Sequence, residues 1–120
     1  MKDTITIMAQ AFYGNRTVTD IKLEDLPYFL LGIFDKSIYT ERDRKLDVTV
    51  VKLPVEGCAL VYNKYEEEDK MNTGRKPLAD VPELNLTLYS RCILCGIDDE
   101  GNLTSLVPEK SRVAVQYLSI

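Results

Sequence analysis

The 120-residue sequence contains no histidine and no tryptophan, and none of its apolar runs approaches the length that spans a bilayer. Without histidine the chain has no Ser-His-Asp triad, no HExxH zinc site and no imidazole acid–base catalyst. It also has no phosphate-binding GxxxxGK[ST] or GxGxxG loop. We therefore predict a protein that is not an enzyme, with no catalytic residue and no cofactor.

The charge balance excludes a second class of function. The sequence has 15 Lys and Arg residues and 19 Asp and Glu residues, which gives a net charge of −4. Direct binding of nucleic acid needs clustered cations, so we do not expect it. The first residues show no signal-peptide pattern and there are only three cysteines, which predicts a cytoplasmic location. The length predicts a single domain over residues 1–120, and a homo-oligomer is left open.

Hydrophobic periodicity in the first half of the chain predicts a hairpin, a helix and a strand. Polar and apolar residues alternate over residues 4–12, which is typical of a half-buried strand, and a second strand is expected over 17–21. From Leu26 to Phe34 the apolar residues follow a helical stripe, so we predict a helix over about 25–35. Residues 46–53 are rich in β-branched side chains and predict a further strand.

The second half predicts more strands around a long loop. Residues 58–62 are almost wholly apolar and should form a central strand. Residues 64–82 lack apolar periodicity and predict a long acidic loop. Strands are expected over 84–94 and 103–106, and a short C-terminal helix is favoured over a strand. The fold class is therefore α+β, with a mostly antiparallel sheet of five or six strands.

Cys92 and Cys95 are the most motif-like pair. A structural zinc needs four ligands, and Cys58 is the only other thiol in a chain without histidine. If the segment is a strand, the two side chains point to opposite faces, because they are three positions apart. We expect both to act as small buried hydrophobic residues rather than to bind metal.

Two acidic clusters are the candidate partner-binding residues. They hold seven of the 19 acidic residues. An anionic patch would suit a host protein with a basic surface, although such runs are usually no more than a solvated surface. Their carboxylates also leave open, as a minority hypothesis, a metal-dependent hydrolase. The residues are Glu66, Glu67, Glu68, Asp69, Asp98, Asp99 and Glu100.

A second hypothesis is a small-molecule site. Seven tyrosines outnumber three phenylalanines, and tyrosine suits both interfaces and ligand pockets. Arg75 is able to hold a phosphate or carboxylate through two hydrogen bonds. A nucleotide-like ligand would be bound where the central strand meets the loop, by Tyr62, Asn63, Tyr65 and Arg75.

The order of several short motifs resembles a family of small uncharacterised proteins from phages and mobile elements of Firmicutes. The motifs are Cys58-Ala59-Leu60-Val61-Tyr62-Asn63, Gly74-Arg75-Lys76-Pro77-Leu78, Leu94-Cys95-Gly96 and Thr104-Ser105-Leu106. Gly74 stands where the family prefers asparagine, and the acidic insert is longer than usual. The resemblance implies an accessory protein in the host cytoplasm that inhibits a bacterial defence system, either by covering a surface or by sequestering a nucleotide signal.

Overall fold

The described structure contains more strand than helix. The computed structural model describes residues 4–10, 16–30, 47–65, 67 and 77–118. The strands are β1 (Thr4–Gln10), β2 (Arg16–Lys22), β3 (Val48–Lys52), β4 (Cys58–Asn63), β5 (Ala79–Val81), β6 (Leu86–Leu88), β7 (Cys92–Ile97) and β8 (Leu103–Thr104). The helices are α1 (Leu26–Leu30) and α2 (Pro108–Ala114), with 3-10 turns at Leu23–Asp25, Pro82–Leu84 and Val115–Tyr117.

Six strands form one sheet, which confirms the predicted α+β class. Five of them lie in the order β2-β1-β7-β4-β3, and β8 pairs with β7. The described strand pairs are antiparallel, and β5 and β6 form a separate two-stranded sheet. The predicted central position of β4 is confirmed, since it lies between β3 and β7.

The central strands are buried on both faces, which explains why their sequences are apolar throughout. On one face Leu60 and Leu94 pack in a core closed by α2 and by the β5–β6 sheet. On the other face Val61 and Ile93 pack against Leu30 of α1. Because successive side chains of these strands point into one hydrophobic core or the other, the sequence shows no alternation of polar and apolar residues.

The predicted N-terminal hairpin is confirmed by the pairing of β1 with β2. The pairing joins Thr4 to Lys22 at one end and Gln10 to Arg16 at the other. On β1, Ile5 and Ile7 are buried and Thr4 is exposed, as the alternation predicted. β1 also pairs with β7, so the hairpin extends the sheet beyond the central strands.

The single strand predicted over 84–94 is wrong. The segment contains β6 and the start of β7, which belong to different sheets. Asn85 has a φ of 53°, in the left-handed region, and ends the 3-10 turn that precedes β6. The predicted loop over 64–82 is also shorter than expected, because its last residues include β5.

The two helices agree with the sequence as far as they are described. The N-terminal one starts with a 3-10 turn at Leu23–Asp25 and continues as α1; residues 31–35 of the predicted helix lie outside the described chain. The C-terminal helix is confirmed as α2, which has Pro108 in its first turn. None of the described helices has the length and apolar character that crossing a bilayer requires.

Candidate functional site

The two acidic clusters are connected to opposite ends of β7. Glu67 is hydrogen-bonded to Tyr89 and Ser90, just before the strand begins, whereas Asp98 directly follows its last residue. Six residues of extended chain span roughly 20 Å. The structure therefore separates Glu67 from Asp98 by the length of β7.

The Glu67 carboxylate is held by three donors of the chain. The backbone N–H of Tyr89 lies 2.8 Å from Oε1 and 3.0 Å from Oε2. The backbone N–H and the hydroxyl of Ser90 lie 2.9 Å and 2.8 Å from Oε2. Ser90 is fully buried, so its N–H and hydroxyl have lost contact with water and need the carboxylate as their acceptor. Glu67 thus has a structural role inside the fold.

The structure does not describe the other three acidic residues of this cluster or the predicted arginine. Glu66, Glu68, Asp69 and Arg75 lie outside the described residues. Their assignment to partner or ligand binding stays a prediction from sequence.

All three residues of the second cluster are exposed, and the carboxylate of Asp98 also has a structural role. Asp98 Oδ1 accepts hydrogen bonds from the backbone N–H of Glu100 at 3.0 Å and of Asn102 at 2.8 Å. These bonds, that from Asn102 first, hold the pKa of Asp98 below its ordinary value. Asp99 and Glu100 are exposed. Asp98 therefore shapes the β7–β8 turn that presents its two neighbours.

Two residues of the predicted small-molecule site, Tyr62 and Asn63, lie on opposite faces of the sheet. Tyr62 packs beside the core on the Leu60 face of β4, while Asn63, the next residue, points to the Val61 face. Asn63 is buried, and its Oδ1 accepts hydrogen bonds from the backbone N–H of Asp47 at 3.0 Å and of Tyr65 at 3.2 Å. Tyr62 and Asn63 do not line one pocket, and Asn63 acts as a clamp between chain segments.

That clamp helps to gather aromatic and acidic side chains at one end of the central strands. We name this set the tyrosine end: Asp47, Tyr62, Tyr65, Glu67 and Tyr89. Tyr62 lies opposite Thr49 of β3 and Cys92 of β7, each two positions from a member or a partner of this set, which puts these groups at one end of the strands. Burial, followed by the charges of Glu67 and Asp47, raises the pKa of Tyr62. Tyr65 is 43% exposed, Asp47 is exposed, and Tyr62 and Tyr89 are half-buried.

Sequence reasoning identified Tyr62, Tyr65 and Glu67 of this end but missed two residues that organise it. No motif marks Asp47, and the hydrogen bond from its N–H to Asn63 Oδ1 is a contact that the sequence does not reveal. Ser90 lies between β6 and β7, inside the segment that the sequence predicts as one strand. A polar Ser-Arg pair in that segment was the available signal for a break.

The cysteines occupy the two cores and not a surface site. The predicted opposite orientation is confirmed, because Cys92 packs in the Leu94 core and Cys95 in the Ile93 core. Burial raises the pKa of each thiol to about 12. A thiol that stays protonated at neutral pH is a poor nucleophile. Within the described ranges no three Cys, Asp or Glu side chains are grouped to hold a metal ion.

No protein-family model matches this chain, and neither a curated protein nor a solved structure matches it.

Proposed function

We propose that this protein is a stoichiometric binding protein that docks its tyrosine end onto a basic surface of a partner protein. The observation that carries the proposal is the grouping of Tyr62, Tyr65 and Tyr89 with two carboxylates at one end of β4 and β7. Glu67 and Asp98 lie at opposite ends of β7, and we assign docking to the end that holds Glu67.

The chemistry of these side chains suits a protein interface. Tyrosine contributes a large apolar area at a low cost in conformational entropy, and its hydroxyl tolerates water at the rim. Tyr65 offers such an area, since it is 43% exposed. Asp47 adds an exposed negative charge, which favours association with a basic surface and makes it depend on salt.

The way in which the described polar groups are used supports binding without turnover. Glu67 and Asp98 accept hydrogen bonds from backbone N–H groups, which fixes their carboxylates as structural acceptors. The thiols of Cys92 and Cys95 are buried and protonated at neutral pH. Binding through surface tyrosines requires none of these groups to react.

The resemblance to small phage and mobile-element proteins suggests a setting for this activity. In that setting the protein is an accessory factor in the host cytoplasm, and its partner belongs to a bacterial defence system. By occupying a basic surface of the partner, the tyrosine end would inhibit it in a one-to-one complex.

The test is capture of a partner from a Firmicutes host lysate, followed by affinity measurement with the purified partner. We expect a complex of fixed stoichiometry that weakens as salt increases. Asp47→Lys reverses a charge at the tyrosine end, and Tyr65→Ala removes its most exposed ring. We expect each variant to weaken binding at least about tenfold, as loss of an interface anchor does.

The matched control is Asp99→Lys, which makes the same charge reversal beyond the other end of β7. It should leave the affinity unchanged. If Asp99→Lys weakens the complex while Asp47→Lys and Tyr65→Ala do not, docking uses the opposite end of the sheet and the proposal is wrong. Inhibition of defence is tested by expressing each variant in a protected host and measuring phage plating.

A further inference from the structure

The hydrogen-bond donors around the Glu67 carboxylate are of the kind that form anion-binding sites. Its donors, which we name the carboxylate seat, are the backbone N–H groups of Tyr89 and Ser90 and the hydroxyl of Ser90. All three converge on the two oxygens of one carboxylate at 2.8–3.0 Å. Consecutive backbone N–H groups that point into one concavity form a site for anions.

Burial makes an empty seat unfavourable. Ser90 is fully buried and follows β6, whose last residue Leu88 is in the core. A buried N–H or hydroxyl that loses its acceptor retains the cost of its desolvation. The seat therefore needs an occupant, and charge-assisted hydrogen bonds make an oxyanion the most favourable one.

The occupant in this structure comes from a remote part of the sequence. Glu67 lies 22 and 23 positions before the residues that bind it. Tyr89 N–H approaches both oxygens, while Ser90 supplies two donors to Oε2 alone. All four of these hydrogen bonds end on the two carboxylate oxygens, so the described contacts recognise a planar group with two oxygens.

We infer that the Tyr89–Ser90 corner is a carboxylate-binding site, with Glu67 as its intramolecular ligand. A carboxylate group of another molecule takes the seat when Glu67 is removed or displaced. Occupation by Glu67 and by an external carboxylate are mutually exclusive. This inference does not depend on the proposed docking function, because it concerns donors that are internal to the chain.

The test compares the melting temperature of Glu67→Ala in acetate with its melting temperature in chloride at equal ionic strength. The variant has an empty seat, so acetate should bind the folded state and raise its melting temperature by roughly 4 °C at saturation. The wild-type protein, whose seat is filled, should show no acetate-specific increase. The double variant Glu67→Ala, Ser90→Ala lacks the hydroxyl donor and should lose most of the effect.

A local measurement assigns the effect to the seat. In Glu67→Ala, the backbone amide resonances of Tyr89 and Ser90 should shift with acetate along the same saturation curve as the melting temperature. Identical responses of Glu67→Ala and the wild type to acetate would overturn the inference. A larger stabilisation by inorganic phosphate than by acetate would overturn the assignment to carboxylates.

The inference remains testable if Glu67→Ala does not fold in chloride. Recovery of the folded state on adding acetate is then the supporting result. Glu67→Gln retains a carbonyl oxygen as acceptor and should fold without acetate. Failure of acetate to refold Glu67→Ala, when Glu67→Gln is folded under the same conditions, would count against the seat.

Discussion

Gly96 and Ser105 approach so closely that no side chain fits between them. A Cβ atom on Gly96 would lie 2.5 Å from the carbonyl oxygen of Ser105 and in direct conflict with the Thr104 side chain. Gly96 pairs with Thr104 where β8 joins β7. The next residues continue this edge, since the N–H of Leu106 donates to the carbonyl of Thr6 on β1 at 2.8 Å.

We predict that Gly96→Ala destabilises the protein, because the obstructing oxygen belongs to the backbone and cannot rotate away. The expected loss is about 1–3 kcal/mol, the usual cost of overpacking. Chemical denaturation followed by circular dichroism measures it. Glu56→Ala, at an exposed position, is the control and should change the free energy of unfolding by less than about 0.5 kcal/mol. Equal stability of both variants would contradict the close approach.

Asn63→Ala should weaken the junction between the start of β3 and the end of β4. The substitution removes the acceptor for two backbone N–H groups, those of Asp47 and Tyr65. We expect a loss of roughly 2 kcal/mol in the free energy of unfolding, and faster hydrogen exchange at these two amides. Gln116→Ala removes an exposed amide and serves as the control. Unchanged exchange at Asp47 and Tyr65 would show that Asn63 is not the clamp.

The raised pKa values of Cys92 and Cys95 predict a loss of stability at alkaline pH. The folded thiols keep their protons until a pKa of about 12, whereas unfolded thiols lose them near the ordinary value of 9.0. The folded state therefore binds more protons above pH 9, and rising pH favours unfolding. Each thiol contributes a slope approaching about 1.4 kcal/mol per pH unit. Below pH 9 this contribution to stability is fully present.

Urea denaturation between pH 8 and pH 10 measures the slope. Cys95→Ala removes one of the two thiols, so its stability should fall less steeply with pH even though its stability at pH 8 is lower. The comparison of slopes separates titration from the loss of packing. If the free energy of unfolding falls equally steeply with pH in Cys95→Ala and in the wild type, burial does not keep the Cys95 thiol protonated.

Asp98→Ala should loosen the β7–β8 turn without affecting the centre of the sheet. The variant removes the acceptor of the Glu100 and Asn102 N–H groups, so both amides should exchange faster with solvent. Because the folded pKa of Asp98 lies below its ordinary value of 3.8, the charged carboxylate supports the turn above that value. This support is lost as the pH falls through the folded pKa.

Asp99→Ala is the control for this effect, since Asp99 is an exposed neighbour in the same turn. Its exchange rates at Glu100 and Asn102 should equal those of the wild type. The same acceleration in both variants would mean that loss of charge, and not loss of the Asp98 acceptor, loosens the turn.

Local patterns predicted the elements whose formation depends on nearby residues. The alternation over β1 and the β-branched composition of β3 follow from the two-residue repeat of a strand, which neighbouring side chains already display. The apolar sequence of β4 indicated a central strand, and its position between β3 and β7 confirms this.

The short strands could not be predicted in the same way. β5 has only three residues; it pairs with β6, and Ala79 also forms a bridge with Leu118, 39 positions later. The break between β6 and β7 depends on donors that bind Glu67, which lies before the segment in sequence. Partners this remote leave no periodic signal in the segment itself.

The motifs that carried the family resemblance include one with a clear packing reason. Gly96 lies against Thr104 and Ser105, so the Leu94-Cys95-Gly96 and Thr104-Ser105-Leu106 strings are the two sides of one hairpin. The close approach of Thr104 and Ser105 requires a residue without a side chain at position 96.

The sequence by itself determined the absence of imidazole chemistry, the α+β class and the apolar centre of the sheet, because composition and short-range periodicity set these properties. Only the tertiary structure decided which acidic residues are exposed. Glu67 and Asp99 look alike in a charged run, yet the first fills a buried seat and the second lies at the surface. The difference arises because Ser90, 23 positions away from Glu67 in the sequence, donates two hydrogen bonds to the Glu67 carboxylate from a buried position.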